Sequence, residues 1–387
     1  MKISIISFKG INECINLFID QMVIFLKKRS INYYIADSRI PESWKNDEFF
    51  SFISQPGCIF LAFEHAGIEI NLSTQNIWKK YQIPVYDYIF DHPRLLDDYF
   101  ANPPCDIQYI LLDKEHQKLI NKFFPYAKTL FFPCGGTEIG KTLNYQNREI
   151  DVLCMSDCNT KDLRFKRIPF FSDEGRYFYS WVYNFLINNP NKTTDTAIDF
   201  FLIENNVILD HEQKYKLFFN YSNSLEIAVR NHFKLEGIKA LDNIGIKVNI
   251  FGRGWQDDDY IFSDNIIRHG RVQIHELMPL IGKSKISLCF MPWFKSGCSE
   301  KNFDSMLNGA VCVSDYSNYL GNHYIDGHNI VYFDLNNPNQ MAMDIKWLLE
   351  HLNMAEKIAQ NGYNTAAKYD SWEKRYSEIF NLLSISS

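Results

Sequence analysis

A chain of 387 residues, 46% hydrophobic and 22% charged, has the composition of a soluble globular protein and is long enough for two cores. Its net charge of −6 argues against a general nucleic-acid binder, which would carry a basic excess. No run of about 20 apolar residues marks a membrane span, and Met1 to Gly10 is too short in its apolar part for a signal peptide.

In chain order, the first 140 residues alternate strand and helix. Strands are expected at Lys2 to Phe8, Asn32 to Ala36, Cys58 to Phe63, Val85 to Phe90, Ile107 to Leu112 and Thr129 to Phe132. Helices are expected at Ile11 to Lys28, Glu42 to Ser54, around Ile77, and at Lys114 to Phe124. Such alternation implies a mainly parallel sheet covered on both faces. Sheets of this kind bind ligands beyond the carboxyl ends of their strands. Glu64-His-Ala-Gly67, Asp91-His-Pro93 and Pro133-Cys-Gly-Gly136 follow such ends.

Residues 137–150 are polar and read as a linker, after which Ile150 to Met155 opens a second unit. Asp162 to Leu241 has a long helical pattern. Near its start, Phe165-Lys-Arg-Ile-Pro-Phe-Phe171 is either a helix packing its aromatic face or a contact with a membrane surface. Val248 to Phe251 is a strand that runs into Gly252-Arg-Gly-Trp255, and Ile266 to Arg268 precedes His269-Gly-Arg-Val272. Ile274 to Lys283 is a helix, Ile286 to Phe290 and Ile330 to Phe333 are strands, and Met341 to Lys368 and Ser371 to Leu383 are terminal helices. The nine cysteines are an odd number without CxxC pairs, which fits reduced thiols of a cytoplasmic protein better than a zinc site.

The richest stretch runs from Cys289 to Asp315. It reads as a strand end, a loop, a short helix, a glycine stop and another strand. Ser299 suits an N-cap, Phe303, Met306 and Leu307 form the buried stripe, and Gly309 suits a left-handed C-cap. Lys301 and Asp304 are neighbours on the remaining face, a climb of roughly 4.5 Å. A helix N-terminus with a cation in its first turn and an acid one turn on suits a nucleotide diphosphate and its ribose. An amphipathic helix with a solvated salt pair has the same spacing.

Four pieces stand in order: Phe251-Gly-Arg-Gly-Trp255, His269-Gly-Arg-Val272, Met291-Pro-Trp293 and Lys301-Asn-Phe-Asp-Ser-Met-Leu-Asn-Gly-Ala-Val311. Together they resemble bacterial glycosyltransferases of the GT-B fold with a group 1-type C-terminal domain, including CgeB-like spore-maturation proteins. The resemblance covers residues 245–335 best. It implies an α/β protein of two Rossmann-like domains facing across a cleft. Residues 1–140 would form the acceptor side, with helix 371–387 crossing back onto it, and 149–370 would hold a nucleotide-sugar donor. By the same resemblance Asp304 stands at a ribose-contacting Glu and Lys301 at an Arg near the diphosphate. Gly252, Arg253 and Gly254 form a phosphate-approaching loop, Arg271 and Val272 lie where the base stacks, and Trp293 and Ser299 complete the donor site.

The chemistry is metal-independent on this reading, with no cofactor beyond the nucleoside-diphosphate sugar. Arg253, Lys301 and a helix N-terminus stabilise the departing diphosphate, and Glu64, His65, Asp91 or His92 supplies the base if the reaction inverts. The family's paired acid, eight residues before Asp304, is here Ser296, so the stereochemistry stays open. Asp257-Asp-Asp259 is either an exposed loop or a metal-binding DxD. Gly252-x-Gly254 lacks the third glycine of a dinucleotide fold, because Asp257 stands there. The expected acceptor is a glycan, a lipid-linked sugar or a protein, with no nucleic acid. The expected place is the cytoplasm, with peripheral contact at the inner membrane face. A nucleotide-sugar epimerase of the same fold and a non-catalytic sugar-binding or coat-assembly protein are the rival readings.

Overall fold

The computed structural model describes residues 3–140, 142–158, 172–255 and 261–386. The chain divides into two compact units, Met1–Thr137 with Tyr369–Ser387, and Glu138–Lys368.

The first unit follows the alternation of its sequence. Its elements are β1 (Ser4–Lys9), α1 (Glu13–Lys28), β2 (Asn32–Asp37), α2 (Asp47–Ile53), β3 (Cys58–Phe63), a hairpin of β4 (Asn71–Leu72) and β5 (Gln75–Asn76), α3 (Ile77–Lys80), β6 (Val85–Ile89), α4 (Asp97–Ala101), β7 (Ile107–Leu111), α5 (Lys114–Phe123) and β8 (Lys128–Phe131). The main sheet is parallel throughout in the order β2-β1-β3-β6-β7-β8. β3 is buried along its whole length, as a strand covered on both faces must be. Helix starts carry their own caps: the side chains of Asn12, Asn46 and Asp113 accept from first-turn amides of α1, α2 and α5. The expected helix from Glu42 is shorter, because Pro41–Ser43 forms a separate single turn and Asn46 caps a fresh start.

The second unit comprises β9 (Ile150–Met155), α6 (Asp173–Asn188), α7 (Thr194–Glu204), α8 (His211–Asn243), β10 (Val248–Phe251), β11 (Ile266–Gly270), α9 (Ile274–Ile281), β12 (Ser284–Cys289), α10 (Glu300–Leu307), β13 (Val311–Asp315), β14 (Val331–Phe333), α11 (Pro338–Glu350) and α12 (Leu352–Tyr369). Its sheet is also parallel, ordered β11-β10-β9-β12-β13-β14. The expected helical stretch before Leu241 is broken among its described residues. Asn189 is pushed off helical torsions before Pro190, and Asn206 turns left-handed at φ 52°. The terminal helix expected from Met341 breaks at His351, whose ψ of 58° ends α11.

The last helix, α13 (Trp372–Ser386), returns to the first unit. Trp372 is buried on Phe18, with ring centroids 4.8 Å apart, and Tyr376 Oη donates to the carbonyl of Phe18 at 2.7 Å. Pro133-Cys-Gly-Gly136 receives this helix. A Cβ on Gly135 would come within 2.9 Å of the Trp372 backbone, and Arg375 Nε donates to the Cys134 carbonyl at 2.9 Å. That strand-end loop is therefore spent on packing.

Candidate functional sites at the two sheet crossovers

In each sheet the chain reverses its direction of travel once, between β1 and β3 in the first unit and between β9 and β12 in the second. Loops leaving the carboxyl ends of strands at such a point part in opposite directions and leave a crevice. Both places collect chemically active side chains.

In the second unit the loop after β9 and the loop after β10 are laced together. Asp157 accepts from the Arg253 amide at 2.8 Å and from its guanidinium at 3.0 and 3.1 Å, and Trp255 Nε1 donates to the Ser156 carbonyl at 2.6 Å. A Cβ on Gly252 would sit 2.1 Å from the Ser156 oxygen. The close approach that demands glycine is thus to the protein's own backbone, whereas the sequence suggested a phosphate. Gly254 follows at φ +85°, which glycine adopts without strain. Burial works against ionising Asp157, but the Arg253 bonds and charge, with Lys301, hold its carboxyl below the usual range.

Two cations that the sequence did not single out join this group. Lys234, on the 33-residue α8, is 2% exposed and donates to the Asp157 carbonyl at 2.7 Å. Burial, reinforced by Arg230 and Lys301, pulls its pKa down to about 7. Arg230, one turn earlier, lies 3.5 Å from the Trp293 ring centroid, with Lys234 Nζ at 5.6 Å. Trp293 belongs to the turn after β12, which Asp315 anchors by accepting from the Met291 amide at 2.6 Å. Buried Asp315 has its pKa raised to about 7 by that burial.

The helix α10 begins beside this cluster. The Ser299 hydroxyl accepts from the Lys301 amide at 3.4 Å and the Asn302 side chain returns a bond to the Ser299 amide at 3.2 Å. Lys301 projects from the first turn, and its charge is felt by Asp157 and Lys234. Asp304, one turn on, is 5% exposed. Ser296, in the position where a paired acid was sought, is buried and accepts from Asn318 at 3.1 Å. Arg271 and Val272 follow edge strand β11, two strands or roughly 10 Å from β9. Asp257-Asp-Asp259 and Phe165–Phe171 lie outside the described residues.

The first unit offers the opposite charge. Straight after β3, Glu64 and His65 both have left-handed backbone, φ 49° and 63°. For non-glycine residues this costs of order 1–3 kcal/mol each, and such cost gathers at functional sites. The turn aims His65 at Asp87, a fully buried carboxylate in the middle of β6. His65 Nδ1 pairs with Asp87 Oδ2, and the His65 amide donates to Asp87 Oδ1 at 3.1 Å. Tyr99 stacks on the imidazole at 3.9 Å. Nε2 is buried and has no hydrogen-bond partner among the described residues. Burial disfavours the imidazolium, but the charge and bond of Asp87, aided by Glu64 and Glu69, more than offset it and raise the His65 pKa.

The other three base candidates are placed differently. Glu64 Oε1 accepts from the amides of Phe90 and Asp91, the latter at 2.8 Å, and burial followed by the Asp91 charge raises its pKa to about 7. His92 Nδ1 caps a single helical turn by accepting from the Arg94 amide at 3.2 Å. Asp91 is exposed. A cavity of about 590 Å³, bounded by the turns after β1 and β3, adjoins His65.

Residues 230–381 match the family model described as glycosyl transferase-like. No curated protein matches the chain significantly. Among solved structures, an alpha-glucosyltransferase bound to UDP-glucose and DNA is similar at 11% identity and TM-score 0.57, over 99% of both chains. Sucrose-phosphate synthase from Thermosynechococcus elongatus is similar at 10% identity and TM-score 0.55, over 100% of both. A glycosyltransferase from Rickettsia africae is similar at 9% identity and TM-score 0.52, over 99% of this chain and 98% of that one. The chain has the two Rossmann-like α/β domains of the GT-B fold.

Proposed function

We propose that the protein is a glycosyltransferase that moves a sugar from a nucleoside diphosphate to a hydroxyl acceptor. The observation that carries the proposal is the set of four cations, Arg230, Lys234, Arg253 and Lys301, gathered at the crossover of the second sheet. It lies within or beside the stretch that matches the glycosyl transferase-like model, residues 230–381. The α10 N-terminus completes a surface suited to a diphosphate.

In the proposed reaction, the acceptor hydroxyl gives its proton to His65 Nε2 as its oxygen bonds to the anomeric carbon. The bond from that carbon to the diphosphate oxygen breaks, and the electron pair leaves with the diphosphate. Lys301, Arg253 and Lys234 stabilise the charge that appears there. Asp87 keeps a proton on Nδ1 and steadies the imidazolium, so the base acts through Nε2. A base on the acceptor side is what an inverting displacement requires. Because fixed cations supply the charge stabilisation, EDTA is expected to leave the rate unchanged. The likeness of Lys301-Asn-Phe-Asp304 to CgeB-like proteins, together with the GT-B fold, fits a role in surface-glycan or glycoconjugate synthesis.

The test is a screen of the purified chain against a panel of nucleotide sugars, with mass spectrometry of the products. Release of nucleoside diphosphate that falls at least tenfold in Lys301→Ala is expected, from the loss of one charge-assisted contact. The reading is lost if no nucleoside diphosphate binds and no sugar nucleotide turns over. It is also lost if the donor is only epimerised, without transfer or hydrolysis.

A further inference from the structure

The cavity beside His65 has a chemistry of its own. Its volume, about 590 Å³, suits a small-molecule site. Aromatic and apolar groups, among them Trp44, Phe63, Tyr99 and Ile70, share its wall with Glu69, Asn71 and Ser38. Among the described residues that line it there is no lysine or arginine, and two acidic side chains, Glu64 and Glu69, stand on the wall. Of the cations near it in sequence, Arg39 is paired with Asp37, and Lys45 lies 4.8 Å from the ring centroid of Trp44, on which it stacks.

Two buried donors or acceptors on this wall are unmatched. Trp44 Nε1 and His65 Nε2 have no hydrogen-bond partner among the described residues. An unmatched buried polar atom costs roughly 1–3 kcal/mol, and a bound partner would relieve it. Glu69 is exposed, and its carboxylate makes no hydrogen bond or ion pair among the described residues. The group that fits this wall has a flat apolar face for the aromatic rings and a rim of hydroxyls for the indole N–H, the imidazole and the carboxylate. A phosphate here would face two acidic side chains, with no lysine or arginine in the lining to pair with it.

From this we infer that the cavity holds the acceptor and that the acceptor is an uncharged sugar ring, the terminal residue of a glycan, rather than a nucleotide or a phosphorylated sugar. The inference rests on the transferase reading and adds the acceptor class to it. Trp44 and Glu69 act as recognition groups, Glu69 by accepting from a sugar hydroxyl and Trp44 by donating Nε1–H to a ring substituent.

The experiment uses the full chain with its best nucleotide-sugar donor. It offers a panel of methyl glycosides, the same sugars as 6-phosphates, and an oligonucleotide carrying hydroxymethylated bases. Transfer to at least one uncharged glycoside is expected, with weaker use of its phosphate by tenfold or more. Glu69→Gln and Trp44→Phe are expected to raise the acceptor KM about tenfold each, the loss of one charged or buried hydrogen bond, while kcat changes little. Ligand-detected NMR with the same glycosides reads binding independently of turnover. The inference is overturned if phosphorylated sugars or DNA are the better acceptors, or if both variants leave the KM unchanged. It also fails if no glycoside is either bound or modified while donor hydrolysis persists, an outcome that leaves the transferase reading standing. Absence of donor hydrolysis together with glycoside binding at Trp44 and Glu69 is the reverse case: the transferase reading falls and the sugar site remains.

Discussion

The two units place their active groups by the same topological device and fill it with opposite charge. At the crossover of the second sheet, four cations surround one ion-paired acid, Asp157. At the crossover of the first, Glu64, Glu69 and Asp87 act on His65, and Asp91 acts on Glu64. A parallel sheet provides a crevice and nothing more. What sets the two crevices apart is the side chains around them, cations in one unit and acids with a histidine in the other. The means of tuning also differ. Lys234 has its pKa lowered because it is buried among like charges, whereas His65 has its pKa raised because a buried carboxylate outweighs its own burial.

That contrast is best broken at the first crossover, where the largest effect is expected. His65→Ala removes the proton acceptor and should lower kcat for transfer by roughly 10²–10⁴-fold, with nucleoside-diphosphate affinity unchanged by calorimetry. Asp87→Asn should act in the same direction and add a diagnostic. In the native protein the rate should fall as the pH drops through the His65 pKa, which lies above the ordinary value of 6.5. Without the Asp87 charge burial dominates, so the acidic limb of the pH–rate profile should move to lower pH. An unmoved limb would assign the base elsewhere.

At the second crossover the split should run the other way. Lys301→Ala and Arg253→Ala are expected to weaken nucleoside-diphosphate binding by about 10–100-fold each, while the acidic limb stays in place. Lys234→Met should do likewise and also stabilise the empty protein. The folded pKa of Lys234, about 7, lies below the ordinary 10.5, so the unfolded chain binds the extra proton between those values. Stability therefore rises as the pH climbs from 7 to 10.5 and is lower at pH 7, where the methionine variant should melt a few degrees higher, at roughly 2–4 °C per kcal/mol. A lower melting temperature in differential scanning calorimetry would show that the lysine's hydrogen bond to Asp157 outweighs its burial. The smallest effect is expected from Glu64→Gln. Its side-chain oxygen can still accept from the amides of Phe90 and Asp91, so transfer should stay within about threefold of native.

Much of the fold was legible because both units alternate apolar strands with helices at short intervals. Strands such as Cys58–Phe63 and Ile150–Met155 stand at the residues read from the sequence. Helix breaks were harder. Pro190 signals one, but the break at His351 has neither proline nor glycine to mark it. The loop after β10 was legible as Gly252-Arg-Gly-Trp255, although its first glycine serves a contact with Ser156 that no local pattern reveals.

The missed residues share one cause. Asp87 sits inside an apolar strand, and Arg230 and Lys234 sit within a long helix with Glu226 one turn before, where i, i+4 charges look like a solvated stripe. Tertiary contacts distinguish them: Asp87 is fully covered, Lys234 is 2% exposed, and Arg230 stacks on Trp293. An acid centred in a hydrophobic strand was the one available signal, and it pointed to His65 only once β3 and β6 were known to be neighbours.

The central claim is that the second unit grips the diphosphate while His65 takes the acceptor proton. Calorimetric titration of native, Lys301→Ala and His65→Ala protein with UDP, GDP and ADP tests it most directly, with transfer rates measured on the same samples. The account predicts that one nucleotide binds the native and His65→Ala proteins equally and Lys301→Ala at least tenfold more weakly, while both variants lose transfer. Equal binding by all three proteins, or no binding by any, would contradict it.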